Sequence, residues 1–323
     1  GGKIFEKIMP KKSNNGVNSN NNSSKSALKE LLKKGKKIIA IPDMYLNWAK
    51  KASKVGLELM EKERFDVIFS MHEPPSSHIC AMEIKKENKG VPWVTYWSDP
   101  WLKDSTRENL NSYNIPKEKT FILTRGYDEK AYEKIKSTVP AEKINKDKIN
   151  FIYAGEIFSK LRNTNPFVEA LKILEKRDPE SFKKLNVLFF GNIDNEGMKK
   201  NLVDVAVVDV SPRIPYDKAI SYMLNGDVLM IFGNKNSKQI PAKIYDYFGA
   251  GGIIFVILGD ENDPILDVVR DKEKCIVVNN NPEEIVGGIY KIFNHLDNEN
   301  KFHPLKEYKW ENISGKLNYI LKG

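Results

Sequence analysis

The chain has 323 residues, 41% hydrophobic and 29% charged, which is a globular composition and more than a single compact core needs. No run of 18 apolar residues occurs, so the sequence contains no signal for a membrane-spanning helix. The formal net charge of +9 suits an anionic membrane surface or a phosphorylated ligand, but lysines sit beside glutamates, as in Lys29-Glu30 and Lys62-Glu63, and no basic motif of a nucleic-acid module is present. Nucleic acid is therefore not expected as a partner. Cys80 and Cys275 both lie in apolar runs and read as buried free thiols of a reducing compartment. Gly1-Gly2 has the look of a cloning remnant, and no signal peptide follows it. A cytoplasmic location is the expectation from these features, with a basic surface suited to peripheral attachment at the inner face of a membrane.

In chain order, residues 13–24 are a polar low-complexity stretch that predicts a mobile loop. Leucines at 28, 31 and 32 predict a helix closed by Gly35, and the run at 38–41 a short strand or turn. A helix is predicted over 45–63, a strand over 66–70, a helix over 77–88 and a strand over 93–97, which makes a strand–helix–strand unit with parallel strands. The second half alternates more regularly. Strands are predicted at 150–155, 186–191, 227–233, 253–258 and 275–278, with helices at 166–177, 217–224, 241–251 and 281–296. The tail, 306–323, predicts a separate helix around Trp310, Ile313, Leu317 and Leu321. The fold class is thus α/β, with two Rossmann-like domains whose ligands belong in a cleft at the carboxyl ends of the strands. The polar stretch 140–149 predicts the boundary, giving domains at 1–145 and 146–305, with 306–323 packing back on the first.

Four blocks of the sequence carry chemistry. Residues 65–101 put His72-Glu73-Pro74-Pro75 and Ser98-Asp99-Pro100-Trp101 each at the carboxyl end of a predicted strand, so both line one crevice; His78 follows one turn into the helix. At 120–132, Gly126 supplies a tight turn. At 153–171, Gly155 lets a phosphate approach the backbone, and Arg162 and Lys160 are cations of the same loop. At 211–254, Arg213, Ile214 and Pro215 form a short loop, Pro241 stands at a predicted helix start that favours phosphate, and Asp246 lies further in.

Together these blocks resemble family 4 of the retaining glycosyltransferases, nucleotide-sugar-dependent enzymes of the GT-B fold. The resemblance runs from about residue 65 to the end. It implies a donor diphosphate held by Gly155, Arg162, Lys238 and Pro241, and a nucleoside held by Asp246, Arg213 and Ile214. It places Asp99 and His72 as catalytic groups orienting the acceptor, with Glu73, His78 and Trp101 on the acceptor side. It implies transfer of a sugar from a nucleoside diphosphate to a glycan, lipid-linked or small-molecule acceptor with retention. No DxD motif is present, so no metal and no other cofactor is expected. The chain departs from the family pattern at Arg125, where asparagine is usual, at Glu156 and Asn163, at Lys238 in place of a carboxylate, and at Asp246 in place of glutamate. These departures keep two rivals open: a nucleotide-sugar-binding pseudo-enzyme or partner subunit, and an epimerase of the same architecture. The first domain also reads as incomplete, because residues 1–25 lack an apolar strand with a glycine turn and 102–119 lack room for a further helix and strand.

Overall fold

The computed structural model describes residues 44–72, 74–97, 121–236, 239–298 and 302–322. The expected elements at 26–41, and the two stretches on which the incompleteness of the first domain rests, lie outside these residues. The chain divides into two compact units, residues 1–99 and 100–323.

In the first unit the order is α1 (Leu46–Lys62), β1 (Ile68–Met71), α2 (Ser76–Glu87) and β2 (Trp93–Tyr96). The two strands are parallel, paired from Ile68 with Trp93 to Met71 with Tyr96. This is the unit the sequence predicts, and the crossover helix is what parallel pairing requires. Pattern shows along β1, where Ile68 and Ser70 are buried while Phe69 and Met71 are exposed.

The second unit is larger. It begins among the described residues with α3 (Glu129–Thr138), then alternates β3 (Ile149–Ala154), α4 (Asn165–Arg177), a short α5 (Pro179–Lys183), β4 (Leu185–Phe190), α6 (Glu196–Val203) and β5 (Val208–Ser211). It continues with α7 (Tyr216–Asn225), β6 (Val228–Phe232), α8 (Lys243–Phe248), β7 (Ile253–Ile257), α9 (Leu266–Val269), β8 (Cys275–Val278), α10 (Pro282–Asp297) and α11 (Trp310–Lys322). The six strands form one parallel sheet in the order β5-β4-β3-β6-β7-β8. Its central strands are almost uninterrupted apolar runs, as a sheet covered on both faces demands. Alternate residues feed two cores. Phe151 and Tyr153 join Phe167, Leu171, Ile289 and Ile292 from α4 and α10 on one face. Ile152 and Ala154 join Ile220, Ile244, Tyr247 and Phe248 from α7 and α8 on the other.

Residues 121–145, which the sequence reading attaches to the first domain, pack in this second unit. Tyr127 and Tyr132 are buried in the core on the α7 and α8 face. The tail meets them there. Tyr127 bridges to Lys309, the amide of Trp310 donates to the Tyr127 carbonyl at 3.0 Å, and Ile313 is buried. Trp310 itself is 46% exposed, so the anchor of the tail is Ile313.

Candidate functional site

In an open parallel sheet the crevice lies where neighbouring strands send their connections to opposite faces. Here that point falls between β3 and β6, because β4 and β5 extend the sheet one way and β7 and β8 the other. β3 ends in Ala154-Gly155-Glu156. Gly155 has φ +148° and Gly191, at the end of β4, has φ +146°, a region L side chains rarely adopt. Space requires these glycines too. A Cβ at Gly191 would lie 2.1 Å from the Gly155 carbonyl oxygen, and one at Gly155 would lie 2.4 Å from Lys243 Nζ.

The loop after β3 folds back over this end of the sheet. The amides of Leu161 and Arg162 both donate to the Phe158 carbonyl at 2.9 Å, and the amide of Lys235, beyond β6, donates to the Leu161 carbonyl at 2.8 Å. The loop is thereby tied to both sides of the crevice. Arg162 Nη1 donates to the Glu156 carbonyl at 2.7 Å, while its buried Nε has no acceptor. Beneath lies Lys243, the first residue of α8. Its Nζ is out of solvent, without a hydrogen-bond acceptor, and 3.8 Å from the centre of the Tyr153 ring. Burial, and then the neighbouring Arg162 charge, push its pKa down to about 7, against a partial pull upward from Asp246 and Glu156. Two cationic groups thus converge on one glycine turn, each with an unspent hydrogen-bond donor. That is the electrostatic signature of an anion site.

Asp246 lies one turn into α8. It accepts from the Tyr132 hydroxyl at 3.0 Å. Burial raises the Asp246 pKa, opposed by the Tyr132 hydrogen bond and by the charges of Arg125 and Lys243. Arg213 is exposed and Ile214 half-buried against the α7 core, in the loop after β5 that leads into Tyr216. Gly155, Arg162, Lys243 and Asp246 therefore form one connected constellation, with Arg213 and Ile214 at the same, carboxyl end of the sheet. Pro241 is buried at its margin. It is not the first helical residue: its carbonyl accepts from Ile244 in a turn, and α8 starts two residues later, at Lys243. The sequence reading passed over Lys243 and Tyr132. Lys243 was visible as the lysine two places after Pro241 in a block already singled out; Tyr132 carried no local signal.

In the first unit, His72 follows β1 and is buried, its amide donating to the Tyr96 carbonyl at 2.8 Å. His78, in the first turn of α2, is buried beside it, with 6.1 Å between ring centres. Glu73, Asp99, Trp101 and Lys238 lie outside the described residues. A concavity of about 1060 Å³ lies elsewhere: Gly226, Gly251 and Gly252 line it at the amino ends of β6 and β7. Parallel sheets present ligands at the carboxyl ends of their strands, so the switch-point constellation is the better candidate.

No protein-family model and no curated protein matches this chain. Solved structures do. A UDP-GlcNAc 2-epimerase from Neisseria meningitidis, bound to UDP-GlcNAc, superposes with a TM-score of 0.56 at 13% identity over 87% of this chain and 82% of that one. The UDP-GlcNAc 2-epimerase from Methanocaldococcus jannaschii gives 0.51 at 11% identity, over 85% of this chain and 81% of that one. A putative UDP-N-acetylglucosamine 2-epimerase from Listeria monocytogenes gives 0.52 at 9%, over 85% and 78%. At such identities the likeness shows the fold: α/β, with two Rossmann-like domains of the GT-B type.

Proposed function

We propose that this chain is an enzyme that uses a nucleoside-diphosphate sugar, and that it transfers the sugar to an acceptor with retention at the anomeric carbon. The observation that carries the reading is the pair of unspent donors, Arg162 Nε and Lys243 Nζ, at the glycine turn of the topological switch point. A diphosphate there accepts from both and offsets their mutual repulsion. Arg162 and Lys243 then stabilise the charge that grows on the leaving diphosphate as the bond from the anomeric carbon to its oxygen breaks. The acceptor hydroxyl oxygen bonds to that carbon on the same face, and its proton passes to the departing phosphate oxygen. Asp246 receives the ribose hydroxyls, with Arg213 and Ile214 beside the base. His72 and Asp99 orient the acceptor, a glycan, a lipid-linked sugar or a small molecule, and Glu73, His78 and Trp101 serve the acceptor side. Lys238 adds a further phosphate contact. The family 4 resemblance supports this assignment of roles, and the 211–254 block that carries it contains both Lys243 and Asp246.

A second reading is epimerisation, favoured by the likeness to three UDP-GlcNAc 2-epimerase structures. Both readings share the donor site and differ in product. Calorimetric titration with UDP tests the site: wild type should bind and Arg162→Ala should bind more weakly. Incubation with UDP-GlcNAc and a panel of sugar acceptors then separates the chemistries. Release of UDP with a new glycoside supports transfer. An epimer with UDP still attached replaces it with the second reading. UDP binding with neither product leaves a binding protein and overturns both.

A further inference from the structure

The C-terminal tail and the nucleoside end of the candidate site meet through one tyrosine. The tail grips the stretch that leads into α3. The amide of Tyr127 donates to the Tyr308 carbonyl at 2.9 Å, the amide of Trp310 donates to the Tyr127 carbonyl at 3.0 Å, and Lys309 pairs with Glu129 at 2.6 Å. Asp128 caps the helix, its carboxylate accepting from the Ala131 amide at 3.0 Å. Tyr132 follows one turn on, its amide donating to the Asp128 carbonyl at 3.0 Å. The Tyr132 ring is held as firmly as its backbone. It is 5% exposed and stacks on the Tyr127 ring with 5.6 Å between centres. Both rings lie against Gly249, just past the end of α8, where an added Cβ would come within 2.5 Å of Tyr127 Cγ and 2.7 Å of Tyr132 Cε2. Packing thus fixes where the Tyr132 hydroxyl lies, and it lies 3.0 Å from Asp246 Oδ1.

An aspartate on a helix turns about two side-chain bonds, whereas a grip on two ribose hydroxyls needs one orientation. We propose that Tyr132 is the positioning residue for Asp246, and that the docked tail, by fixing the start of α3, couples its own docking to nucleoside binding. The inference rests on the reading of Asp246 as the group that receives the ribose hydroxyls. Oδ1 is committed to Tyr132, the carboxylate's one hydrogen bond among the described residues, and Oδ2 is left to a ligand. Burial, and then the Asp246 charge, hold the Tyr132 pKa far above its ordinary value, so its hydroxyl remains a donor at any working pH. Tyr132 acts only through the carboxylate. The phosphate grip has other supports: the loop that carries Arg162 is tied by hydrogen bonds to Asn192, Asp194 and Lys235. A nucleoside diphosphate therefore feels the tail, and pyrophosphate does not. Coupling is reciprocal, so a nucleoside diphosphate holds the tail down by the factor by which the docked tail improves its binding.

The test uses the full chain, with UDP and pyrophosphate as probes. Tyr132→Phe keeps the stacked ring and removes the hydroxyl. Calorimetry should show UDP binding weakened by roughly tenfold, the effect of one hydrogen bond, with pyrophosphate binding unchanged. In wild type, amide exchange across residues 306–322 should slow by about the same factor at saturating UDP and stay the same at saturating pyrophosphate. Tyr132→Phe should lose that slowing. A Tyr132→Phe chain that binds UDP as wild type does, or that loses both probes equally, overturns the positioning role. Tail exchange that UDP leaves unchanged, or that pyrophosphate slows equally, overturns the coupling; this arm needs no variant and stands even where Tyr132→Phe does not fold. Wild type that binds neither probe overturns the donor reading itself, whereas wild type that binds both and fails these arms overturns the inference alone.

Discussion

Lys243 is held near the midpoint of its titration by the fold, and the sign of the consequence follows from its direction. Its folded pKa of about 7 lies below the ordinary 10.5. Between those values the unfolded chain binds a proton that the folded one does not, so this residue makes stability rise with pH through that window. Below pH 7 the ammonium is charged in both states and its desolvation penalty is fully present. Lys243→Met should therefore be more stable than wild type near pH 6, and the advantage should vanish toward pH 10; chemical denaturation across that range reads it. A diphosphate favours the ammonium, so binding of UDP at pH 8 should take up a proton. Calorimetry in buffers of different ionisation enthalpy detects that uptake, which Lys243→Met should abolish. Arg162 answers to a simpler test. Its loss to alanine removes charge-assisted hydrogen bonds to the phosphates and should cost about 1.5–3 kcal/mol of binding to UDP and to pyrophosphate alike. Asp246→Asn should weaken UDP and spare pyrophosphate; equal losses for both ligands would move Asp246 away from the ribose.

At the scale of elements, the ends of β3 and β4 shape the site. Gly155 and Gly191 share the same unusual backbone conformation, yet their neighbours differ. An added Cβ at Gly155 meets the tip of a lysine, which can move; one at Gly191 meets the backbone of Gly155, which cannot without displacing the strand end. Both substitutions to alanine strain the backbone by about 1–3 kcal/mol. Gly191→Ala should lower the melting temperature more, while Gly155→Ala should lose more UDP affinity, because it displaces Lys243. Thermal shift with and without UDP resolves the two. Most elements were readable from periodicity, since long apolar runs such as 150–154 and 253–257 are bounded by glycine and polar turns. β5 was not, because it is an edge strand whose Asp209 faces solvent and pairs with Lys143. The start of α8 was misplaced by two residues: proline favours the first helical position, but here its carbonyl closes a turn first.

For the molecule as a whole, the tail closes the second unit by returning to residues near its start. Lys309 pairs with Glu129 at 2.6 Å, and Ile313 is 2% exposed. The ion pair is partly exposed and contributes little; the burial of Ile313 dominates. Ile313→Ala should destabilise the second unit by about 2–4 kcal/mol, whereas Lys309→Ala should change it by less than about 1 kcal/mol. Denaturant titration of the two variants distinguishes an apolar anchor from an electrostatic one. Sequence periodicity found the tail helix but could not say what it covers, because an amphipathic stripe specifies a buried face and not its partner.

The sequence by itself determined the alternation of strands and helices, the parallel α/β class, and the residue types at the switch point: Gly155, Arg162 and Asp246 all stand out locally. It did so because strand burial, helix amphipathy and turn chemistry act over a few residues and leave a periodic trace. What only the tertiary structure decided is which groups lack partners. Lys243 is an ordinary lysine in the sequence; it becomes a poised cation only because the Tyr153 ring, Gly155 and Arg162 surround it. The surroundings of His78 likewise include Trp93, fifteen residues away along the chain and joined to it through Ser70 by the pairing of two parallel strands. Desolvation and hydrogen-bond satisfaction are properties of an enclosure, and an enclosure is built from residues that are distant in the chain.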